Sequence, residues 1–228
     1  DEMNKLSNPK DIFVYNIPDT EEKEIYLLDG GYLAEKKSSN LFILDEKLDL
    51  QKEITHFVYN PNNFTDKTLL AMKSYNNPVV KPATQDDGGA NTTIEVDSNG
   101  IPKIDNGFSS LDELKKYPLV NLYMYEANAV YRAYRSDAVN EYDYLYICDK
   151  ENNQVLVIDY NSYDANLGTF EIIDVVTSPV EELGTTVFRP SKIIVDGAGR
   201  IYVIATNVSD GIMEFSYNTK TTEYEFNR

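Results

Sequence analysis

The stretch of sequence that decides the fold is FRPSKIIVDGAGRIYVIA, which occupies residues 188–205. A proline leads an apolar run that ends at Val195, and a second apolar run begins at Ile201. Residues 196–199 join the two runs and contain two glycines, which suit the positive φ angles of tight turns. Runs rich in isoleucine, valine and tyrosine on both sides of such a turn are typical of paired strands. The stretch therefore predicts an antiparallel β-hairpin.

The same order of strands occurs in two earlier parts of the chain. Residues 25–27, 145–147 and 201–203 read IYL, LYI and IYV, so each second strand places a tyrosine between two aliphatic residues. The third strands also match, because residues 41–45 read LFILD and residues 155–159 read VLVID. Strands that are apolar almost without interruption are covered on both faces. A β-sandwich also has short strands, but the repeated order favours blades that stack face to face.

The repeat predicts an all-β fold, namely a β-propeller of four-stranded blades. We expect the blades at residues 6–58, 126–176 and 186–228, within a single propeller portion that spans residues 1–228. Propellers usually close with about four to eight blades. Three blades therefore predict an incomplete ring.

Residues 59–125 interrupt the repeat. Their first part is polar and loop-like, and residues 92–104 predict a hairpin. Residues 110–116 predict a short helix capped by a serine, and residues 119–125 predict a strand. We interpret the segment as an elaborated insertion, with a degenerate blade as the alternative.

Charge excludes several classes of partner. The chain carries 38 acidic and 21 basic side chains, for a formal net charge of −17. Binding to nucleic acid requires a basic face, and adhesion to anionic lipids requires basic clusters. No run approaches the roughly 18 apolar residues of a membrane span. We therefore expect no nucleic-acid partner and no direct membrane insertion in this segment.

The supply of catalytic side chains is small. His56 is the only histidine and lies in a predicted outer strand over residues 53–58, and Cys148 is the only cysteine. Catalysis by a serine or cysteine nucleophile usually needs a histidine base. Cys148 ends the apolar run 144–148, which predicts a buried thiol. We predict no catalytic residue and favour a non-enzymatic protein over an enzyme.

Acidic pairs are the remaining candidates for cofactor chemistry. Asp86 and Asp87 precede two glycines and offer oxygen ligands to calcium, but their spacing does not match an EF-hand loop. Glu21 and Glu22 form a second acidic pair in a predicted turn. We predict solvated loops at both places and no cofactor, with a bound divalent cation as the alternative.

Two stretches resemble a known repeat. Residues 188–203 resemble an NHL-type propeller repeat, and so do residues 149–159, in which an aspartate and two asparagines precede a strand ending in aspartate. More narrowly, the chain is similar to NHL-like propeller proteins of low-GC Gram-positive bacteria. This resemblance implies a ring of about six blades. It also implies an exported protein, either secreted or held at the extracellular face of the membrane as a lipoprotein or membrane-anchored protein.

Two functions remain open, and the small supply of catalytic side chains favours the first. The first is an extracellular binding or scaffolding propeller that recognises a protein or a carbohydrate. The alternative is a metal-dependent lactonase-like hydrolase, because gluconolactonase-like propellers bind a divalent metal at the channel with glutamate, asparagine and aspartate. That ligand set does not map residue by residue onto this chain.

Two groups of residues are candidates for ligand binding. Asp11, Asn128 and Lys192 lie near the starts of predicted first strands and are expected to face the channel. Tyrosines near the entry of the second blade form the other group, because tyrosines at a rim suit carbohydrate or protein ligands. The predicted binding residues of this group are Tyr131, Tyr134 and Tyr142. The neighbouring tyrosines are Tyr123, Tyr125 and Tyr144.

Overall fold

The structure is a computed structural model that describes residues 6–31, 38–66, 68–69, 98–99, 101, 111–136, 138–179, 184, 188–206, 211–221 and 223–228. Within these residues the chain is all-β, with antiparallel four-stranded sheets and very little helix. A 3-10 turn covers Pro61–Asn63, and a single helical turn, α1, covers Leu111–Leu114. The part of the chain so described contains no helix that is long and apolar enough to cross a membrane.

The first sheet is a meander of four consecutive antiparallel strands. Its strands are β1 (Pro9–Asn16), β2 (Lys23–Asp29), β3 (Asn40–Asp45) and β4 (Leu50–Ile54). The sequence pattern predicts this order correctly, because the tyrosine of β2 and the apolar run of β3 occupy the middle of the sheet.

The second sheet repeats the meander and adds two short strands at its outer edge. The meander consists of β7 (Ala129–Ser136), β8 (Glu141–Asp149), β9 (Gln154–Asp164) and β10 (Thr169–Val176). The added strands are β5 (Phe57–Tyr59), which runs parallel to β10, and β6 (Val120–Leu122), which runs antiparallel to β5. The chain thus passes from the last strand of the first sheet directly to the edge of the second sheet.

The third sheet is again a four-stranded meander. It consists of β11 (Pro190–Val195), β12 (Ile201–Ala205), β13 (Ile212–Asn218) and β14 (Glu223–Phe226). The turn between β11 and β12 has a positive φ at Gly199 but not at Gly197. One of the two glycines in that turn therefore meets the expected conformational requirement.

The segment that interrupts the repeat is described only in part. Helix α1 lies inside the predicted helix 110–116, and β6 lies inside the predicted strand 119–125. The predicted hairpin at 92–104 lies almost wholly outside the described residues.

Two apolar cores join the three sheets face to face. The first core lies between the first and second sheets and includes Tyr26, Ile43 and Leu145. The second core lies between the second and third sheets and includes Val157 and Val203. Both faces of the second sheet are therefore buried, which explains its almost continuous apolar runs. Strand β7 lies beside both β1 and β11, so the three first strands are neighbours along one edge of the stack.

A repeated hydrogen bond fixes the entry of each new sheet. The Ser39 hydroxyl, in the turn after β2, accepts the backbone N–H of Ala127 at 3.0 Å, just before β7. The side-chain oxygen of Asn153, in the turn after β8, accepts the N–H groups of Phe188 and Arg189, both at 3.2 Å, just before β11. The turn between the second and third strands thus holds the start of the following sheet.

An aspartate at the end of the second strand anchors the start of its own sheet. Asp29 accepts the backbone N–H of Ser7 at 2.9 Å and that of Asn8 at 2.6 Å. Asp149, at the end of β8, accepts the backbone N–H of Tyr125 at 2.8 Å. Together with the bonds from neighbouring turns, these contacts position the first strands.

Candidate functional site

Residues from all three sheets meet at the start of the first strands. The Lys192 ammonium of β11 lies 3.2 Å from Oδ1 of Asp11 in β1. The other carboxylate oxygen of Asp11 accepts the backbone N–H of Val130 in β7 at 3.0 Å. Lys192 is exposed and Asp11 is half-buried, so the ion pair remains open to solvent. The structure therefore brings together two of the three residues expected at the channel.

Asn128 lies immediately before β7, two residues before Val130, whose N–H binds Asp11. Its backbone N–H donates to the Cys148 carbonyl at 3.1 Å and continues the pairing with β8. Its side-chain oxygen is buried and has no hydrogen-bond partner among the described residues. Buried acceptors of this kind normally have a partner. Asn128 thus has a buried side-chain oxygen for which the described residues supply no donor.

An aromatic pair lies deeper along the same strands. The rings of Phe13 and Tyr131 lie 4.8 Å apart between β1 and β7. Both side chains are half-buried. Tyr131 also packs against the core between the second and third sheets. The first strands therefore present a cation, a carboxylate and an apolar surface within one region.

The other two tyrosines predicted to bind a ligand, Tyr134 and Tyr142, do not lie with Asp11, Lys192 and Tyr131. Tyr134 pairs with Asp143 across the β7–β8 hairpin, and Tyr142 pairs with Arg135. Adjacent residues of a strand point to opposite faces. Tyr134 and Tyr142 therefore lie on opposite faces of the second sheet, at the end of β7 far from Asn128.

The neighbouring tyrosines are also divided. Tyr144 stacks edge to face with Tyr142 at 5.8 Å, on the side of the third sheet. Tyr125 is buried in the chain before β7. Tyr123 faces His56, with ring centroids 5.4 Å apart. The six tyrosines thus form no single rim cluster.

A buried arginine connects the first two sheets. The Arg132 guanidinium donates two hydrogen bonds to the Asp143 carboxylate, from Nε at 2.8 Å and from Nη2 at 2.6 Å. Its Nη1 reaches the first sheet, where it donates to the Glu24 carboxylate and, at 2.7 Å, to the Tyr26 hydroxyl. The Tyr160 hydroxyl donates to both Glu24 oxygens, at 2.8 and 2.9 Å. One buried cation is therefore shared by carboxylates from two sheets.

Aromatic rings enclose the same guanidinium. Its Cζ lies 3.4 Å from the ring centroid of Tyr160 and 4.3 Å from that of Tyr15. Burial raises the pKa of Tyr15 to about 12, with a further contribution from Asp143. Burial also raises the pKa values of Tyr26 and Tyr160. All three phenols stay protonated at neutral pH, and together with Arg132, Glu24 and Asp143 they form a clamp between the first two sheets.

The clamp was not predicted, although the sequence carries a signal for it. Arg132 lies opposite Leu145 in the hairpin, and Asp143 precedes Leu145 by two residues. Residues two apart share a face, so the charges of Arg132 and Asp143 interrupt a face that is otherwise apolar. A pair of opposite charges on the buried face of one hairpin indicates a buried ion pair.

The two residues with reactive side chains have structural surroundings. Cys148 is fully buried, as predicted, and burial raises the pKa of its thiol. His56 was expected within a strand, but β4 ends at Ile54 and β5 begins at Phe57, so this expectation is wrong. The His56 carbonyl accepts the Thr169 hydroxyl, which fixes the short connection between the two sheets.

Within the described ranges, no three histidine, cysteine, aspartate or glutamate side chains are grouped so as to hold a metal ion. Glu21 and Glu22 are exposed in the turn after β1. Asp86 and Asp87 lie outside the described residues.

Comparison with known proteins adds no family assignment. No model of a known protein family matches the sequence, and no curated protein is significantly similar to it.

Proposed function

We propose that the three meanders are blades of a β-propeller of the NHL type, with β1, β7 and β11 lining its channel. Support comes from the order of the strands and from the position of β7 beside both other first strands. In a propeller the first strand of each blade lies innermost and successive blades stack face to face. The two apolar cores between the sheets fit that arrangement.

The proposed activity is non-enzymatic binding of a protein or a carbohydrate at the exterior of a Gram-positive cell. The observation that carries this proposal is the meeting of the exposed Lys192 with the half-buried Asp11, which come from two different sheets. Their carboxylate accepts hydrogen bonds and their ammonium donates them. The half-buried Phe13–Tyr131 pair adds an apolar surface. Alternating donors and acceptors beside aromatic rings suit the hydroxyl groups and apolar faces of a sugar, so a carbohydrate is favoured.

The test is a glycan array followed by titration calorimetry with the whole protein. Asp11→Asn and Lys192→Met are expected to weaken binding at least about tenfold, which corresponds to about 1.4 kcal/mol. Lys220→Met is the matched control, because Lys220 is exposed in the turn after β13. Carbohydrate binding that both variants leave unchanged would remove the site from the proposal.

The alternative hydrolase gives a different set of results. Elemental analysis that finds a stoichiometric divalent metal, together with hydrolysis of a lactone, would replace the binding function with lactonase-like catalysis. Failure of every glycan, combined with a protein partner whose binding depends on Asp11, would identify the ligand as a protein. Cell fractionation with surface proteolysis tests the exterior location, and a cytosolic pool would contradict it.

A further inference from the structure

The three sheets stack head to tail, with the same kind of face making each contact. Phe13 in β1 points into the first core, and Tyr131 in β7 packs against the second core. This face, which packs on the following sheet, is called the front face. Val130 in β7 lies in the first core, and Ile193 in β11 lies in the second core. This opposite face, which packs on the preceding sheet, is called the back face.

Register makes these positions equivalent in the three sheets. Ile12, Val130 and Ile193 pair with the last residue of the aliphatic–tyrosine–aliphatic pattern in their second strands, which is Leu27, Ile147 and Val203. Ile12 therefore occupies the back face of the first sheet. The residue after Ile193 is Ile194, which occupies the front face of the third sheet.

The same positions are covered inside the stack and open at its two ends. Ile193 and Val195 on the back of the third sheet are only 6% and 9% exposed. Their counterparts on the back of the first sheet, Ile12 and Val14, are 64% and 50% exposed. Large apolar side chains that are neighbours on one sheet face normally indicate a contact surface.

The front of the third sheet carries the complementary patch. Ile194, Ile204 and Ile212 are between 42% and 62% exposed, and Ile204 pairs with Ile212 in adjacent strands. The back of the first sheet and the front of the third sheet are thus the two complementary faces of a contact that the chain already makes twice between its own sheets.

We propose that two copies of this chain close one ring, with the front of each third sheet packed on the back of the other copy's first sheet. The inference rests on the proposed propeller. A front face fits a back face because the repeat packs in this way at both internal contacts. Two such contacts, related by a two-fold axis along the channel, join three sheets with three and give a ring within the usual size of propellers. Further sheets from a longer polypeptide are the competing occupant.

Net charge sets the conditions of the test. Each copy carries −17, so the two copies repel one another at long range. Salt screens this repulsion without weakening apolar burial. Association is therefore expected to strengthen as salt is raised, which is opposite to the behaviour of a contact made by ion pairs.

Analytical ultracentrifugation and light scattering over a wide concentration range test the proposal. The expected species has twice the 26.0 kDa mass of the chain. Ile12→Asp, on the back face, and Ile194→Asp, on the front face, are each expected to give monomers with unchanged circular dichroism. Val139→Asp is the matched control, because Val139 is exposed in the turn between β7 and β8. It is expected to leave the dimer intact.

Mixing the two variants distinguishes head-to-tail packing from other dimers. The Ile12→Asp copy keeps an unaltered front face on its third sheet, and the Ile194→Asp copy keeps an unaltered back face on its first sheet. A mixed dimer of the two variants therefore has one intact contact. A partial return of the dimer is expected. A dimer that Ile12→Asp leaves unchanged would overturn the head-to-tail arrangement.

Negative-stain electron microscopy distinguishes failure of the dimer proposal from failure of the propeller proposal. A monomer seen as an open arc of sheets would overturn the dimer and leave the propeller standing. A closed monomeric ring in a longer native polypeptide would assign the two faces to that polypeptide and also overturn the dimer. Sheets that form no arc or ring would remove both proposals.

Discussion

Arg132 and Asp143 form a two-point ion pair that is buried between two sheets. The guanidinium Nε and Nη2 atoms donate to the two carboxylate oxygens at 2.8 and 2.6 Å. Because the same guanidinium also serves Glu24 and Tyr26 of the first sheet, its loss affects both sides of the interface. The pair therefore links the folding of the second hairpin to the docking of the first sheet.

Replacing this arginine is expected to be severely destabilising. Arg132→Met leaves two mostly buried carboxylates without their cation, and loss of one partner of a buried pair costs about 3–5 kcal/mol. The free energy of unfolding from urea denaturation measures the effect. The same substitution at Arg200, whose exposed guanidinium pairs with Asp196, is the control and is expected to cost far less, because solvent screens an exposed ion pair. Equal losses in the two variants would show that Arg132 is not a clamp.

Stability is expected to fall as pH rises towards neutrality because of Asp149. Burial raises the pKa of this carboxyl to about 7, although hydrogen bonds from Asn152, Gln154 and the Tyr125 N–H act in the opposite direction. An unfolded aspartate has a pKa of about 3.9. Between these two pKa values the folded protein holds a proton that the unfolded chain releases. The contribution of the protonated carboxyl to the free energy of unfolding is therefore fully present at low pH and is lost as pH rises through about 7.

Asp149→Asn is the variant that tests this dependence. The amide cannot ionise, and the Asn152 and Gln154 side-chain oxygens, which have no hydrogen-bond partner among the described residues, can rotate to accept it. The stability of the variant relative to wild type should increase with pH up to about 7, by at most about 1.4 kcal/mol per pH unit, and then level off. Asp112→Asn changes an exposed carboxylate and serves as control. Parallel stability curves for wild type and Asp149→Asn would contradict the prediction.

The order of the strands was predictable because it depends on local patterns. The alternation of apolar runs and turns around Tyr26, Tyr146 and Tyr202 gives the meanders directly. The meeting of Asp11 and Lys192 was also accessible, because both residues occupy the same position in equivalent strands.

Contacts between sheets were less accessible to sequence reasoning. The separation of Tyr134 from Tyr142 follows from strand alternation, but their closeness in sequence suggested one cluster. The position of His56 outside a strand depends on where the chain leaves the first sheet, after β4, to enter the second sheet as β5. That choice is a tertiary one, and no local propensity specifies it.

The turn between β11 and β12 offers a matched pair of glycine substitutions. Gly199 has a φ of 78°, and a Cβ atom there would lie 2.8 Å from Cζ of Arg135. Gly199→Ala is therefore expected to cost at least about 1–2 kcal/mol from backbone strain. It should also displace Arg135 from its position 4.2 Å from the Tyr142 ring. Gly197→Ala meets open space and is expected to be nearly neutral. Thermal unfolding of both variants measures the difference, and similar melting temperatures would contradict the prediction.

The entry of the third sheet is expected to depend on the Asn153 side chain. Its oxygen accepts two backbone N–H groups, and its own φ of 53° lies in the left-handed region. Asn153→Gly removes the acceptor without backbone strain and is expected to cost about 1–3 kcal/mol. Asn153→Ala adds the strain of a left-handed Cβ, about 1–2 kcal/mol more. Asn153→Asp keeps an acceptor oxygen and is the control.

Hydrogen exchange at the amides of Phe188 and Arg189 gives the direct readout. The Gly and Ala variants should speed exchange at these two amides, because their acceptor is gone and the start of β11 opens more readily. The Asp variant should preserve protection. Two results would contradict the prediction, namely fast exchange confined to the first sheet or unchanged protection of these amides in the Gly variant. Either result would show that β11 is held by its apolar core alone, and that the hydrogen bond from the preceding turn does not set the position of the third sheet.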